Sequence, residues 1–205
     1  YFARPDSTIE NKNVYDTRTV LGQQLAKEWK KEDIDLVGAV PDSSRSAAMS
    51  FASAIGKPYR EVLVKNRYIA RTFIMPTQES RDIAVKRKLN PIIKEVKGKK
   101  IALIDDSLVR GTTSKRIISM LKQAGAEKIH LLLTCPPIIS PCMYGIDMQT
   151  KEELAASTNS IEEIRQEIGA DSLTYLSIEG LQESLGLPLC CAWLNSEYPI
   201  RETEE

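Results

Sequence analysis

The stretch Ile101 to Arg116, IALIDDSLVRGTTSKR, decides the fold. Ile101 to Ile104 form an apolar run too short for a helix and the right length for a buried strand. Two carboxylates, Asp105 and Asp106, stand at its carboxyl end. Ser107 to Thr113 then make a turn, in which Gly111 lets the backbone approach a ligand closely. Thr112, Thr113 and Ser114 place hydroxyls where a helix begins, and the free N–H groups and dipole of such a start attract anions. In open α/β sheets, ligands bind beyond the carboxyl ends of the strands. A phosphate cradle beside two acids therefore suits a phosphorylated sugar: the loop takes the phosphate, the acids take ribose hydroxyls. An acidic turn before an N-capped helix explains any one of these residues but not the whole string. The Walker A spacing GxxxxGK[ST] is absent.

Outward from this stretch the chain alternates between the two periodicities. Upstream, Val20, Leu21, Leu25, Ala26 and Trp29 predict a helix over Thr19 to Glu32. Leu36 to Val40 reads as a buried strand ended by Pro41, Ser44 to Ala54 as a helix closed near Gly56, and Tyr59 to Val64 as a second strand. A polar stretch, Lys65 to Asn90, separates it from the third strand, Lys100 to Ile104. Downstream come a helix over Thr113 to Ala124 and a fourth strand, Lys128 to Leu133. Strands alternating with helices imply right-handed crossovers and a parallel sheet. Beyond Pro136 the pattern turns helical. Ser160 to Glu163 has the form of a capping box opening a helix to Ile168, and Ile178 to Leu185 is a further helix. The expected fold is α/β, a mostly parallel sheet flanked by helices, with a helical C-terminal extension.

Composition narrows the function classes. The 205 residues carry 28 basic and 28 acidic side chains, so no general positive field speaks for nucleic acid or an anionic membrane. No apolar run approaches the roughly 18 residues that span a bilayer. The opening YFARPDSTIE lacks the apolar core of a signal peptide. Cys135, Cys142, Cys190 and Cys191 form no secreted disulfide framework, which points to a cytoplasmic setting. His130 is the single histidine and sits in an apolar run. It is read as structural, and a histidine-based triad or multi-histidine zinc site has no basis.

The string DDSLVRGTTS resembles the signature of the type I phosphoribosyltransferases, and within them the amidophosphoribosyltransferases. The resemblance implies that Asp105 and Asp106 hold the ribose hydroxyls and the metal-bound phosphoribosyl pyrophosphate (PRPP). Ser107, Val109, Arg110, Gly111, Thr112 and Thr113 would bind the 5-phosphate. The segment Ala39-Val40-Pro41-Asp42-Ser43-Ser44 resembles that family's pyrophosphate loop, giving Asp42, Ser43 and Ser44 to the substrate. Ser44, Asp105 and Asp106 go to a divalent ion, expected to be Mg. Residues 65–90, KNRYIARTFIMPTQESRDIAVKRKLN, resemble the flexible loop that closes over PRPP. Lys65, Arg67, Tyr68 and Arg71 join the acidic pair as the expected catalytic set. Taken without the resemblance, Pro-Asp-Ser-Ser is a turn and a helix cap, and the basic stretch is a solvated loop. Ser140 to Asp147 and Tyr175 to Gly180 match the same family beyond its catalytic sheet.

These matches cover almost the whole chain but only the family's C-terminal half. They divide it into a connector at 1–18, a phosphoribosyltransferase core at 19–135 and an extension at 136–205 that packs on the core. A glutaminase domain opening on a nucleophilic cysteine has no counterpart in the sequence. The expected reaction is therefore transfer of ammonia, free or delivered by a missing domain or subunit, to PRPP. This is the first step of purine biosynthesis. A homo-oligomer is expected, with no nucleic-acid or membrane partner. Some family members hold an iron–sulfur cluster. Here Cys142 and Cys190 match ligand positions, but Trp193 falls where another cysteine would be needed, so no cluster is expected. Rival readings are a PRPP enzyme with a nucleobase acceptor, a noncatalytic PRPP-sensing regulator and a noncatalytic assembly subunit.

Overall fold

The computed structural model describes residues 3–66, 89–142, 144 and 150–199. A small antiparallel hairpin, β1 (Thr8–Ile9) and β2 (Lys12–Asn13), leads into helix α1 (Val14–Glu28). The Asn13 side chain accepts hydrogen bonds from the Tyr15 and Asp16 amides at 2.9 and 3.3 Å. That cap starts the helix five residues before Thr19, where the apolar spacing began. The helix also ends at Glu28 rather than Glu32, because the chain turns extended at Trp29.

Four parallel strands form the central sheet in the order β3 (Leu36–Ala39), β6 (Lys100–Asp105), β7 (Lys128–Leu133), β8 (Ser172–Tyr175). Alternate side chains of β6 supply two separate cores, as the period of two requires. Ile101 and Leu103 pack with Ile117, Ile118 and Leu121 of α4 (Thr112–Gln123). Ala102 and Ile104 pack with α1 and with α2 (Arg45–Ile55), through Leu25, Ala48 and Phe51. Burial on both faces explains why these strands read as unbroken apolar runs.

The expected strand Tyr59 to Val64 is divided in the structure. Pro58 and Arg60 bond to Val37 across the edge of β3, and Tyr59 makes a single parallel bridge there. The regular strand is β4 (Leu63–Lys65), which pairs antiparallel with β5 (Leu89–Pro91) in a separate sheet. A short helix, α3 (Ile93–Val96), follows.

The C-terminal region has a 3₁₀ turn (Lys151–Glu153), α5 (Ala155–Thr158), α6 (Ile161–Ile168), α7 (Ile178–Leu185) and α8 (Ala192–Asn195). The Ser160–Glu163 capping box is formed in both directions. The described residues of 136–205 thus combine these short helices with the edge strand of the central sheet. Strand β8 was not foreseen: four residues after Asp171 carry too little pattern, and its partner β7 lies far back in sequence. Asp171 itself accepts the Ile129 amide at 2.8 Å, which fixes the register of the two strands.

Helix α1 crosses α2 at Gly22, where a Cβ would overlap the Ala47 carbonyl oxygen. Only a glycine permits this approach. The contact sets the height of α2, and with it the loop that precedes α2.

Candidate active site

Two loops emerge side by side at the carboxyl ends of β3 and β6. The first, residues 40–44, is a turn that passes into α2, and its Pro41–Asp42 peptide bond is cis. The second, residues 106–111, passes into α4. Neither helix has a side chain capping its first turn. At α2 the reason is visible: the Ser44 hydroxyl donates instead to Asp105 Oδ1 at 3.1 Å, joining the two loops.

Asp105 is 7% exposed, and its Oδ1 also accepts the Asp106 amide at 2.8 Å. Burial first, and then the neighbouring Asp106 charge, push its carboxyl up to about 7. Asp106 is partly exposed; it receives the Ser107 hydroxyl at 3.3 Å. Its backbone carbonyl accepts from Thr134 Oγ1 at 3.4 Å, which ties the acidic pair to the end of β7.

The second loop is anchored by apolar contact. Leu108 is 2% exposed in the main core, and Val109 packs against the smaller cluster of Ile138, Leu154 and Leu194. The Val109 carbonyl accepts the Ala155 amide at 2.8 Å. Gly111 has φ of 77°, a left-handed conformation that the turn into α4 demands. Thr112 and Thr113 are exposed at the helix start, whereas Ser114 is buried. Arg110 points its guanidinium at Glu153, 3.1 Å away.

The first loop is held by ions. Asp42 pairs with Arg45 at 2.9 Å and with Lys65 at 3.6 Å. Arg45 reaches on to Glu61 at 3.3 Å, and the Tyr59 hydroxyl donates to the same carboxylate at 2.9 Å. Arg45, Glu61, Tyr59 and Thr134 were not identified from the sequence. Only Arg45 neighbours a recognisable motif; the rest are brought in by the tertiary fold. Of the expected lid residues, Lys65 lies at the first loop. Arg67, Tyr68 and Arg71 fall outside the described residues.

A cavity of about 650 Å³ adjoins this floor. Ser44, Asp106 and Thr134 line its polar side, and Leu181, Leu189 and Trp193 its apolar side. A larger groove, about 1450 Å³, lies between α1 and α2 and contains none of the expected site residues.

The four cysteines are free thiols. Burial pushes Cys135, on the cavity wall, up to about 12. Among the described residues, no three His, Cys, Asp or Glu side chains are grouped to hold a metal. His130 lies lower in the sheet, its Nδ1 2.8 Å from the Ser172 hydroxyl, and burial lowers its pKa. No helix among the described residues is long and apolar enough to cross a membrane.

Comparison with known proteins gives this geometry a family. Amidophosphoribosyltransferase of Methanothermobacter thermautotrophicus is 56% identical over 202 residues, covering 97% of this chain and 42% of that protein. The Bacillus subtilis amidophosphoribosyltransferase is 50% identical over 206 residues, covering 97% and 43%. This chain thus spans less than half the length of these relatives. The solved structure of glutamine PRPP amidotransferase from B. subtilis, complexed with ADP and GMP, superposes with a TM-score of 0.89 at 48% identity. It covers all of this chain and 46% of that one. Residues 8–142 match the phosphoribosyl transferase domain, and the chain belongs to that family.

Proposed function

We propose that this chain transfers ammonia to the anomeric carbon of PRPP, giving 5-phosphoribosylamine and pyrophosphate at the entry to purine biosynthesis. The observation that carries the reading is the 3.1 Å bond from Ser44 to Asp105. It brings a loop suited to pyrophosphate and a carboxylate pair suited to ribose onto one floor, beside a loop whose helix start suits a phosphate. PRPP presents those three groups in that order. The relatives named amidophosphoribosyltransferase direct the choice of acceptor to ammonia.

In this reading Asp106 and Asp105 accept the ribose hydroxyls and stabilise the positive charge that develops on the sugar. The backbone amides and hydroxyls of 107–113 hold the 5-phosphate. The nitrogen lone pair forms the C1–N bond as the C1–O bond breaks, its electron pair leaving with pyrophosphate; the nitrogen then sheds one proton to solvent. Ammonia already carries its lone pair, so no side-chain base has to start the attack. The apolar wall of Leu181, Leu189 and Trp193 keeps water from the same carbon.

Mg²⁺ takes oxygen ligands and is commonly held by one or two carboxylates together with substrate phosphates. Ser44, Asp105 and Asp106 fit that role. The burial and repulsion that raise the Asp105 pKa are the strain a divalent cation relieves. When bound, it would neutralise the leaving pyrophosphate. Lys65, Arg67, Tyr68 and Arg71 complete the proposed catalytic set by covering that group. We further read residues 1–18 as a connector, 19–135 as the core and 136–205 as the extension. Ammonia comes from solution or from a glutaminase partner, and the setting is a cytoplasmic homo-oligomer.

The test is pyrophosphate release from PRPP and Mg²⁺ with ammonium, glutamine or nucleobases as acceptor. Ammonium should support turnover; turnover with a nucleobase alone overturns the assignment. Asp105→Asn with Asp106→Asn should lower the ammonium-dependent rate by about a hundredfold or more.

A further inference from the structure

The reading above uses Asp42 and Lys65 but gives no part to the residues that join them to the sheet edge, Arg45, Glu61 and Tyr59. Arg45 is the first residue of α2 and lies between two carboxylates. Its Nη1 is 2.9 Å from Asp42 Oδ1 and its Nε 3.3 Å from Glu61 Oε1. Glu61 is steadied by the Tyr59 hydroxyl at 2.9 Å, and Tyr59 bridges Val37 at the edge of the central sheet. On the far side, Lys65 Nζ stands 3.6 Å from Asp42 Oδ2. Two cations thus face two carboxylates in one chain running from the sheet edge to the loop.

The Arg45 and Lys65 contacts on Asp42 are unequal. The guanidinium is a planar fork that keeps its geometry while bonding two partners, whereas an ammonium on a four-carbon stem is a mobile point charge. Arg45 is only about one-third exposed, at 34%, against 47% for Lys65. We propose that Arg45 is a positioning residue for pyrophosphate. It neutralises Asp42 and ties loop 40–44 to the sheet edge, which leaves Lys65 able to move from Asp42 to the incoming pyrophosphate. This rests on the PRPP reading of the loop. With Arg45 absent, Asp42 would compete with the substrate for Lys65.

The test separates affinity from chemistry by measuring ammonium-dependent turnover against PRPP concentration. Arg45→Met keeps an unbranched apolar stem and removes the charge. Its KM for PRPP should rise about fivefold, with kcat within about twofold of wild type. The exchanged pair Arg45→Glu with Glu61→Arg restores the strap between α2 and the segment before β4 but sets a carboxylate against Asp42, so its KM should stay high. A wild-type KM in the exchanged pair would show that only the strap matters and would overturn the proposal. An unchanged KM in Arg45→Met, or a loss confined to kcat, would do the same. Should Arg45→Met fail to fold, Glu61→Gln loosens Arg45 from its other end. Its KM should rise about twofold, and an unchanged KM again counts against the idea. A wild-type chain that turns over no PRPP with any acceptor defeats the amination reading. A wild type that does, matched by Arg45→Met, defeats only this inference.

Discussion

The two loops at the site do similar work by different physics. Each follows a parallel strand and opens a helix without a side-chain cap. Residues 106–111 are pinned from below by Leu108 and Val109 and turned by a left-handed glycine. Residues 40–44 are pinned from the side by Asp42, Arg45, Glu61 and Lys65. An apolar anchor holds a loop without drawing on its N–H groups, which suits a phosphate cradle. An ionic anchor can be exchanged for a ligand of the same charge, which would suit the proposed pyrophosphate loop.

The largest effect that would test this contrast is on stability. Leu108→Ala should cost about 2–5 kcal/mol in urea unfolding, as buried leucine truncations do. Asp42→Ala should cost under about 1 kcal/mol, as partly exposed ion pairs do. Equal costs would erase the distinction. Next comes the floor that both loops share. The folded Asp105 carboxyl lies near 7, above its ordinary 3.8. Its protonated form therefore contributes stability in full below about pH 4, and this is lost as the pH rises through 7. Asp105→Asn stays neutral, so in the ligand-free protein its melting temperature relative to wild type should climb between pH 4 and pH 8. A constant difference would count against a buried, raised carboxyl.

A smaller effect is expected at Gly111. A Cβ there would meet Ile168 Cγ2 at 3.5 Å, an ordinary contact, so the penalty is in the backbone. Gly111→Ala should cost about 1–2 kcal/mol, read from calorimetry. The smallest effect is of salt. Raising ionic strength from about 0.01 to 1 M shortens the Debye length from about 30 to 3 Å. Amide exchange should then quicken more in residues 40–44 than in 106–111, where Leu108 and Val109 hold the loop beside the exposed Arg110–Glu153 pair.

The same contrast explains what could be read from the sequence. The second loop is contiguous: strand, acids, glycine and hydroxyls lie within Ile101 to Arg116, and each announces itself by local chemistry. The alternation of β6 and the capping box at Ser160 were legible for the same reason. The first loop's anchors are scattered. Glu61 and Tyr59 reach Arg45 only because residues 58–60 run along β3, and Thr134 reaches Asp106 only because β6 and β7 are in register. Strand β8 is hidden in the same way, since its stabilisation comes almost wholly from a partner some forty residues earlier. The start of α1 was misplaced because Asn13, a polar cap, precedes the apolar spacing that marks the helix.

That distant strand also orders events in time. A chain made from its N-terminus offers β3, β6 and β7 for pairing well before Ser172 to Tyr175 emerges, and Leu181, Leu189 and Trp193 come later still. During synthesis Asp105, Asp106 and the two loops therefore precede Leu181, Leu189 and Trp193, and also Leu154 and Leu194, against which Val109 packs. The part of the cavity wall that α7 and α8 bring is therefore completed after its polar floor.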